Sequence, residues 1–180
     1  DDGGKSAIGG TESMLDVEYM TSMGANISTG FWGFNGRAPH NPQNEPFLKW
    51  LQLVSNTSDA EVPKVFSTSY GEIEGSVDPS YADRINVEFM KAGARGISLL
   101  FASGDSGANC EKKVFHANWP AALPYVTAVG GTTGGGGGGS TRKAESAVGL
   151  SSGGFSNRYA RPAWQTNAVA AYLNQTTGMP

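Results

Sequence analysis

The stretch from Asp78 to Gly107 constrains the fold more than any other part of the chain. Asp78 followed by Pro79 has the chemistry of a helix start. Tyr81, Ile85, Phe89 and Ala92 then recur at helical spacing, and Gly96 supplies the stop. Ile97 to Ala102 follows at once and is apolar apart from Ser98, the pattern of a strand covered on both faces of a parallel sheet. The strand then runs into Ser103-Gly104-Asp105-Ser106-Gly107, an acidic turn flanked by glycines. In open α/β sheets, functional residues gather beyond the carboxyl ends of the strands, which places Asp105 at the mouth of a cleft. The bland alternative is an Asx-turn that merely closes the strand.

The rest of the chain repeats this alternation. Glu12 to Met23 reads as a helix, with Thr11 as N-cap and Gly24 as stop, followed by an extended stretch from Ala25 to Trp32. After a loop rich in Gly, Pro and Asn, Pro46 opens a second helix with Phe47, Leu48, Leu51 and Val54 on one face. Lys64 to Ser69 and Tyr125 to Val129 are strand-like. Strands alternating with helices predict an α/β layered domain. Residues 132–140 interrupt the pattern with six consecutive glycines, Gly134 to Gly139, a flexible loop or linker with no function attached.

Composition serves mainly to exclude. A net charge of −3 with 16% charged residues offers no basic stripe for nucleic acid. No apolar run approaches the roughly 20 residues of a membrane-spanning helix. The chain starts at Asp1 without an initiator methionine or signal peptide, and so reads as a processed or partial sequence. Asn26, Asn56 and Asn174 each open an N-x-S/T sequon, which leans towards a secreted or lysosomal protein. The single cysteine, Cys110, says little about redox compartment by itself.

Glu12 and Asp16 stand four residues apart on the first predicted helix, so both carboxyl groups leave the same face. On a solvated helix such a pair is mildly unfavourable and means nothing. On a buried face, two negative charges disfavour joint ionisation and favour a shared proton, the state of a general base that works in acid. Ser69-Tyr70-Gly71 follows a strand, and Gly71 would let a bound chain approach the backbone. Ser151 to Ser156 forms a second small-residue loop, and both loops are also readable as plain turns. The sequence Gly104-Asp105-Ser106-Gly107 looks like the nucleophile motif of chymotrypsin-type proteases, with His40 or His116 as base. Those enzymes are paired β-barrels, so the alternation of helices and strands argues against that reading.

In this order, the segments resemble the sedolisin family of serine-carboxyl peptidases, from about Gly10 to Tyr172. Glu12-Ser13-Met14-Leu15-Asp16 is similar to the family's Glu-x-x-x-Asp helix, and Leu99 through Gly107 to its oxyanion-aspartate segment. The resemblance implies a subtilisin-like parallel sheet with helices on both faces, the chain being the central part of one catalytic domain. It further implies an acid-active serine-type peptidase that releases tripeptides from free N-termini. Glu12 would be the general base, Asp16 its supporting acid, and Asp105 a protonated donor to the oxyanion. Ser69, Tyr70, Gly71, Ser103 and Gly104 would hold the peptide substrate.

The family's Ser-Gly-Thr-Ser type nucleophile motif and the calcium loop after it do not occur before Pro180. The resemblance therefore places the serine, the Ca2+ site and the disulfide partner of Cys110 outside this chain, on the remainder of the domain or a second chain. No metal ligand is assigned within the chain. An inactive sedolisin-like binding domain and an endopeptidase of the same family are the alternative expectations. Retention of all three carboxylates favours an enzyme over the former.

Overall fold

A computed structural model describes residues 10–134 and 144–175. Four helices occur in it: α1 (Thr11–Met23), α2 (Phe47–Asn56), α3 (Pro79–Ala94) and α4 (Thr166–Gln175). The strands are β1 (Val65–Thr68), β2 (Glu72–Ile73), β3 (Ser98–Ala102), β4 (Cys110–Glu111), β5 (Val114–Phe115), β6 (Asn118–Trp119), β7 (Thr127–Val129), β8 (Thr132–Thr133) and β9 (Ser146–Ala147). Of the glycine-rich stretch at 132–140, residues 135–140 lie outside the described residues.

The central sheet has the order β1-β3-β7, with both pairings parallel. Thr68 stands opposite Phe101, and Ala102 opposite Val129. All three strands therefore end at one edge, and the segments Ser69–Gly71, Ser103–Asp105 and Gly130–Gly131 leave the sheet side by side. The remaining strands form three two-stranded antiparallel ribbons: β2 with β6, β4 with β5, and β8 with β9.

The core lies between this sheet and the α2–α3 pair. α3 starts as the sequence predicts: the Asp78 side chain accepts from Tyr81 N at 3.0 Å with Pro79 in the first turn. Tyr81, Ile85, Phe89 and Ala92 are all buried, and Gly96 takes a φ of +73° to turn the chain into β3. In α2 the buried side chains are Phe47, Trp50, Leu51 and Val54, so Trp50 joins the predicted face and Leu48 sits at its margin. Phe101 occupies the middle of an aromatic cluster, with ring centroids 5.4 Å from Phe89, 5.7 Å from Phe47 and 6.2 Å from Trp50.

Two local expectations are corrected. Thr11 lies inside α1 rather than capping it; Gly10 is the N-cap, and Ser13 Oγ bonds back to Gly10 O at 3.0 Å. β3 is not covered on both faces by the described residues: Leu99 and Phe101 are buried, Leu100 is half-buried, and Ser98 and Ala102 are exposed. Helices α2 and α3 cover one face only. α1 likewise buries no residue among those described, leaving Met14, Leu15, Tyr19 and Met20 open.

Phe101→Ala removes the ring at the centre of this cluster and should cost about 3–5 kcal/mol in chemical denaturation. A loss below about 1 kcal/mol would show that the cluster does not hold sheet and helices together.

Candidate functional site

The carboxyl edge of the sheet gathers most of the residues singled out from the sequence. Ser69, just past β1, donates its hydroxyl to Asp16 Oδ1 at 2.8 Å, which ties α1 to the strand end across 53 residues of sequence. Glu12 and Asp16 are half-buried on the same side of α1. Tyr70 lies among the acids: burial and then the charges of Glu12, Glu45 and Asp16 push its hydroxyl above the ordinary value. Glu12, Asp16, Ser69 and Tyr70 are thus one cluster. Gly71 turns away beside Trp119, where a Cβ would stand 2.5 Å from the Trp119 carbonyl oxygen, so no larger residue fits.

Asp105 leaves the neighbouring strand at the same edge and is exposed. Gly104 before it has a φ of +101°, and a Cβ there would meet the Asn118 side chain at 2.5 Å. The turn is stitched to the second small-residue loop by backbone and side chain alike. Ser152 N donates to Gly104 O at 2.9 Å, Ser106 N donates to Ser152 Oγ at 3.0 Å, and Gly107 N donates to Leu150 O at 2.8 Å. Ser103 N bonds to Val129 O at 2.9 Å, continuing the parallel ladder one residue past β3. Among the described residues, no hydrogen bond joins Asp105 to the Glu12–Asp16 cluster. What unites them is the shared sheet edge.

The chymotrypsin-like alternative finds no support in this geometry. Among the described residues neither His40 nor His116 bonds to Ser106, and His40 sits near Asp78, whose carboxyl is held below the ordinary range chiefly by hydrogen bonds from the Ser80 hydroxyl and Tyr81 N. Cys110 is exposed and unpaired among the described residues. Asn26, Asn56 and Asn174 are all exposed, Asn26 in the left-handed region at a φ of 67°. Among the described residues no three His, Cys, Asp or Glu side chains converge to hold a metal ion. The calcium implied by the resemblance enters no step below. No described helix is long and apolar enough to cross a membrane.

Two further acids belong to this region and carry no sequence signal, because nothing local marks an acid as buried. Glu72 on β2 accepts from Glu45 N at 2.6 Å, while its other oxygen is buried without a partner. Burial outweighs that hydrogen bond and, with Glu45 nearby, pushes the Glu72 carboxyl up from 4.5 to about 7. Tyr81, whose hydroxyl donates to Glu45 O at 2.9 Å, is itself pushed up to about 12 by burial and by Glu72 among other groups. Glu74, two residues on, is buried against the loop after Phe155, with Ser156 Oγ and Asn157 N as donors.

The fold and this edge define a class first: a subtilisin-like α/β domain with paired acids on a helix and a third beyond the next strand. No protein-family model matches the chain. Tripeptidyl-peptidase 1 of Canis lupus familiaris and of Mus musculus are each 46% identical to it over 175 residues, and that of Homo sapiens is 45% identical. Each match covers 95% of this chain, which spans 30% of the relative's length. Pseudomonas sedolisin, a serine-carboxyl proteinase solved with two molecules of pseudo-iodotyrostatin, superposes at a TM-score of 0.62 and 18% identity. That match covers 96% of this chain and 59% of the other, and speaks for the fold. The chain belongs to the sedolisin family of serine-carboxyl peptidases and represents part of the domain.

The shift of Glu72 has a definite sign. Its folded-state value lies above the unfolded one, so the stability it contributes is present below about pH 4.5 and is lost as pH rises towards 7. Thermal melts at pH 5 and pH 8 should therefore differ more for the native protein than for Glu72→Gln, which cannot ionise. Equal differences would show that Glu72 does not titrate in this range.

Proposed function

We propose that these residues are the acidic half of an acid-active serine-type peptidase, one that releases tripeptides from the free N-termini of polypeptides. The observation that carries this reading is the convergence at one sheet edge. Asp16 is held by Ser69 at 2.8 Å, Tyr70 lies among Glu12, Asp16 and Glu45, and Asp105 leaves the adjacent parallel strand. The restriction to tripeptides rests on the relatives named tripeptidyl-peptidase 1.

On this reading the nucleophilic serine comes from outside the chain. Glu12 accepts the proton of its hydroxyl as the oxygen bonds to the scissile carbonyl carbon, and Asp16 supports Glu12 through the i,i+4 pairing. The carbonyl π electrons move onto oxygen, and a protonated Asp105 carboxyl donates a hydrogen bond to that oxyanion. Glu12 then returns the proton to the leaving amine as the C–N bond breaks, and water releases the acyl group by the reverse sequence. A carboxylate base suits acid, where histidine would already be protonated. Ser69, Tyr70, Gly71, Ser103 and Gly104 flank the path of an extended substrate, and the glycines allow its backbone a close approach. Action in a lysosome or outside the cell fits both the acid chemistry and three sequons whose asparagines are exposed. Cys110, exposed on β4, would then pair with a cysteine elsewhere in the protein.

The natural protein that carries these residues should cleave a tripeptide reporter at about pH 4–5. Glu12→Gln should abolish most of that turnover, and Asp105→Ala should lower it by about 10²-fold or more. Turnover unchanged in Glu12→Gln would remove Glu12 from the mechanism, and an effect within about 3-fold in Asp105→Ala would leave Asp105 as a turn residue.

A further inference from the structure

Glu74 is an acid that the mechanism does not use, yet only 3% of it is exposed. It opens a 3-10 turn at Glu74–Ser76, directly after β2, and its N–H bonds to Ala117 O at 2.8 Å. Both of its carboxyl oxygens point into another part of the chain. One accepts from Ser156 Oγ and the other from Asn157 N at 2.8 Å. Among the described residues no Lys, Arg or His lies within ion-pair distance of it. Burying an acid on neutral donors alone is costly, and an apolar side chain would fill the space more cheaply. Retaining the acid calls for a reason.

The loop that Glu74 holds is anchored at its other end to the Asp105 turn. Ser152 bonds Gly104 and Ser106, and Ser151 Oγ accepts from Gly131 N at 2.6 Å. Between the two anchors lie Gly153, Gly154 at a φ of +142°, and Phe155, which is 54% exposed. Two adjacent glycines would leave this span free to wander if only one end were fixed. With both ends fixed, three residues bridge the gap and the Ser152 clamp is held in place. Glu74 therefore joins the segment that leaves β1 through Gly71 and Glu72 to the segment that clamps the exit of β3.

We propose that Glu74 is a positioning residue for the Asp105 turn: by holding Ser156 and Asn157 it keeps Ser152 seated on Gly104 and Ser106. The inference rests on the reading of Asp105 as the oxyanion donor. The carboxylate is specifically required, because Ser156 Oγ already accepts from Arg158 N at 3.0 Å and Tyr159 N at 2.7 Å. An amide at position 74 would retain an acceptor for Asn157 N, but its NH2 would face an oxygen with no lone pair left to give.

The test is steady-state kinetics of the full-length natural protein on a tripeptide reporter, with thermal melts to establish that each variant folds. Glu74→Gln should lower kcat about 10-fold or more with KM within about 3-fold, since a displaced oxyanion donor affects the transition state and not ground-state binding. Ser156→Ala, which removes one of the two bonds to Glu74 together with the acceptor of Arg158 N and Tyr159 N, should lower kcat in the same direction. Added to Asp105→Ala, Glu74→Gln should lower the rate by less than about 2-fold, because the group it positions is already gone. An unchanged kcat in Glu74→Gln or in Ser156→Ala overturns the inference, as does a full further loss on the Asp105→Ala background. If Asp105→Ala alone leaves kcat unchanged, the oxyanion reading itself falls. If Asp105→Ala slows the enzyme and Glu74→Gln does not, only the inference about Glu74 falls.

Discussion

Burial of Phe101 and Leu99 against α2 and α3 determines which way β3 faces, and the site depends on that choice. Side chains alternate across a strand, so a slip of one residue would turn both to the open face and carry Ser98, Leu100 and Ala102 into the core. It would also shift the exit of β3 against that of β1, whose Thr68 now stands opposite Phe101. Ser69–Gly71 and Ser103–Asp105 are neighbours only in the observed register. The aromatic cluster of Phe47, Trp50, Phe89 and Phe101 is thus what sets the acidic groups side by side.

The turn chemistry then refines what the register establishes. Gly71 and Gly104 stand where a Cβ would meet the Trp119 carbonyl and the Asn118 side chain, so the loops on both strands fold back onto β6. β6 pairs with β2, which carries Glu72 and leads into Glu74. The two strand-end loops are therefore coupled twice, through the β2–β6 ribbon and through the Ser151–Asn157 loop. Acid groups line this whole region: Glu12, Asp16, Glu45, Glu72, Glu74 and Asp105.

Much of this was legible in the sequence, for reasons that differ from element to element. α3 and β3 were readable because a long 3.6-residue period, a Pro after Asp78 and a terminal Gly96 all agree. Glu12, Asp16 and Asp105 were readable as candidates because the helical spacing and the strand-to-turn boundary are local features. Trp50 was missed on α2 because the buried face is wider than the four positions counted. The exposed face of β3 was missed because an apolar Leu100 looks the same whether or not a partner covers it. The two-residue ribbons are too short to carry a period. Glu72 and Glu74 were invisible as buried acids, since their burial comes from Glu45, Ser156 and Asn157, up to 83 residues away.

The central claim is that Glu12, Asp16 and Asp105 serve one reaction centre at the carboxyl edge of the β1–β3 pair. A crystal structure of the full-length protein with a tripeptide aldehyde tests it most directly, because the aldehyde carbon marks the reacting centre. The account predicts the bound oxygen within about 3 Å of an Asp105 carboxyl oxygen, with Glu12 hydrogen-bonded to the attacking hydroxyl and the peptide running past Ser69–Gly71. An aldehyde bound covalently at a position out of reach of both Asp105 and Glu12 would contradict it.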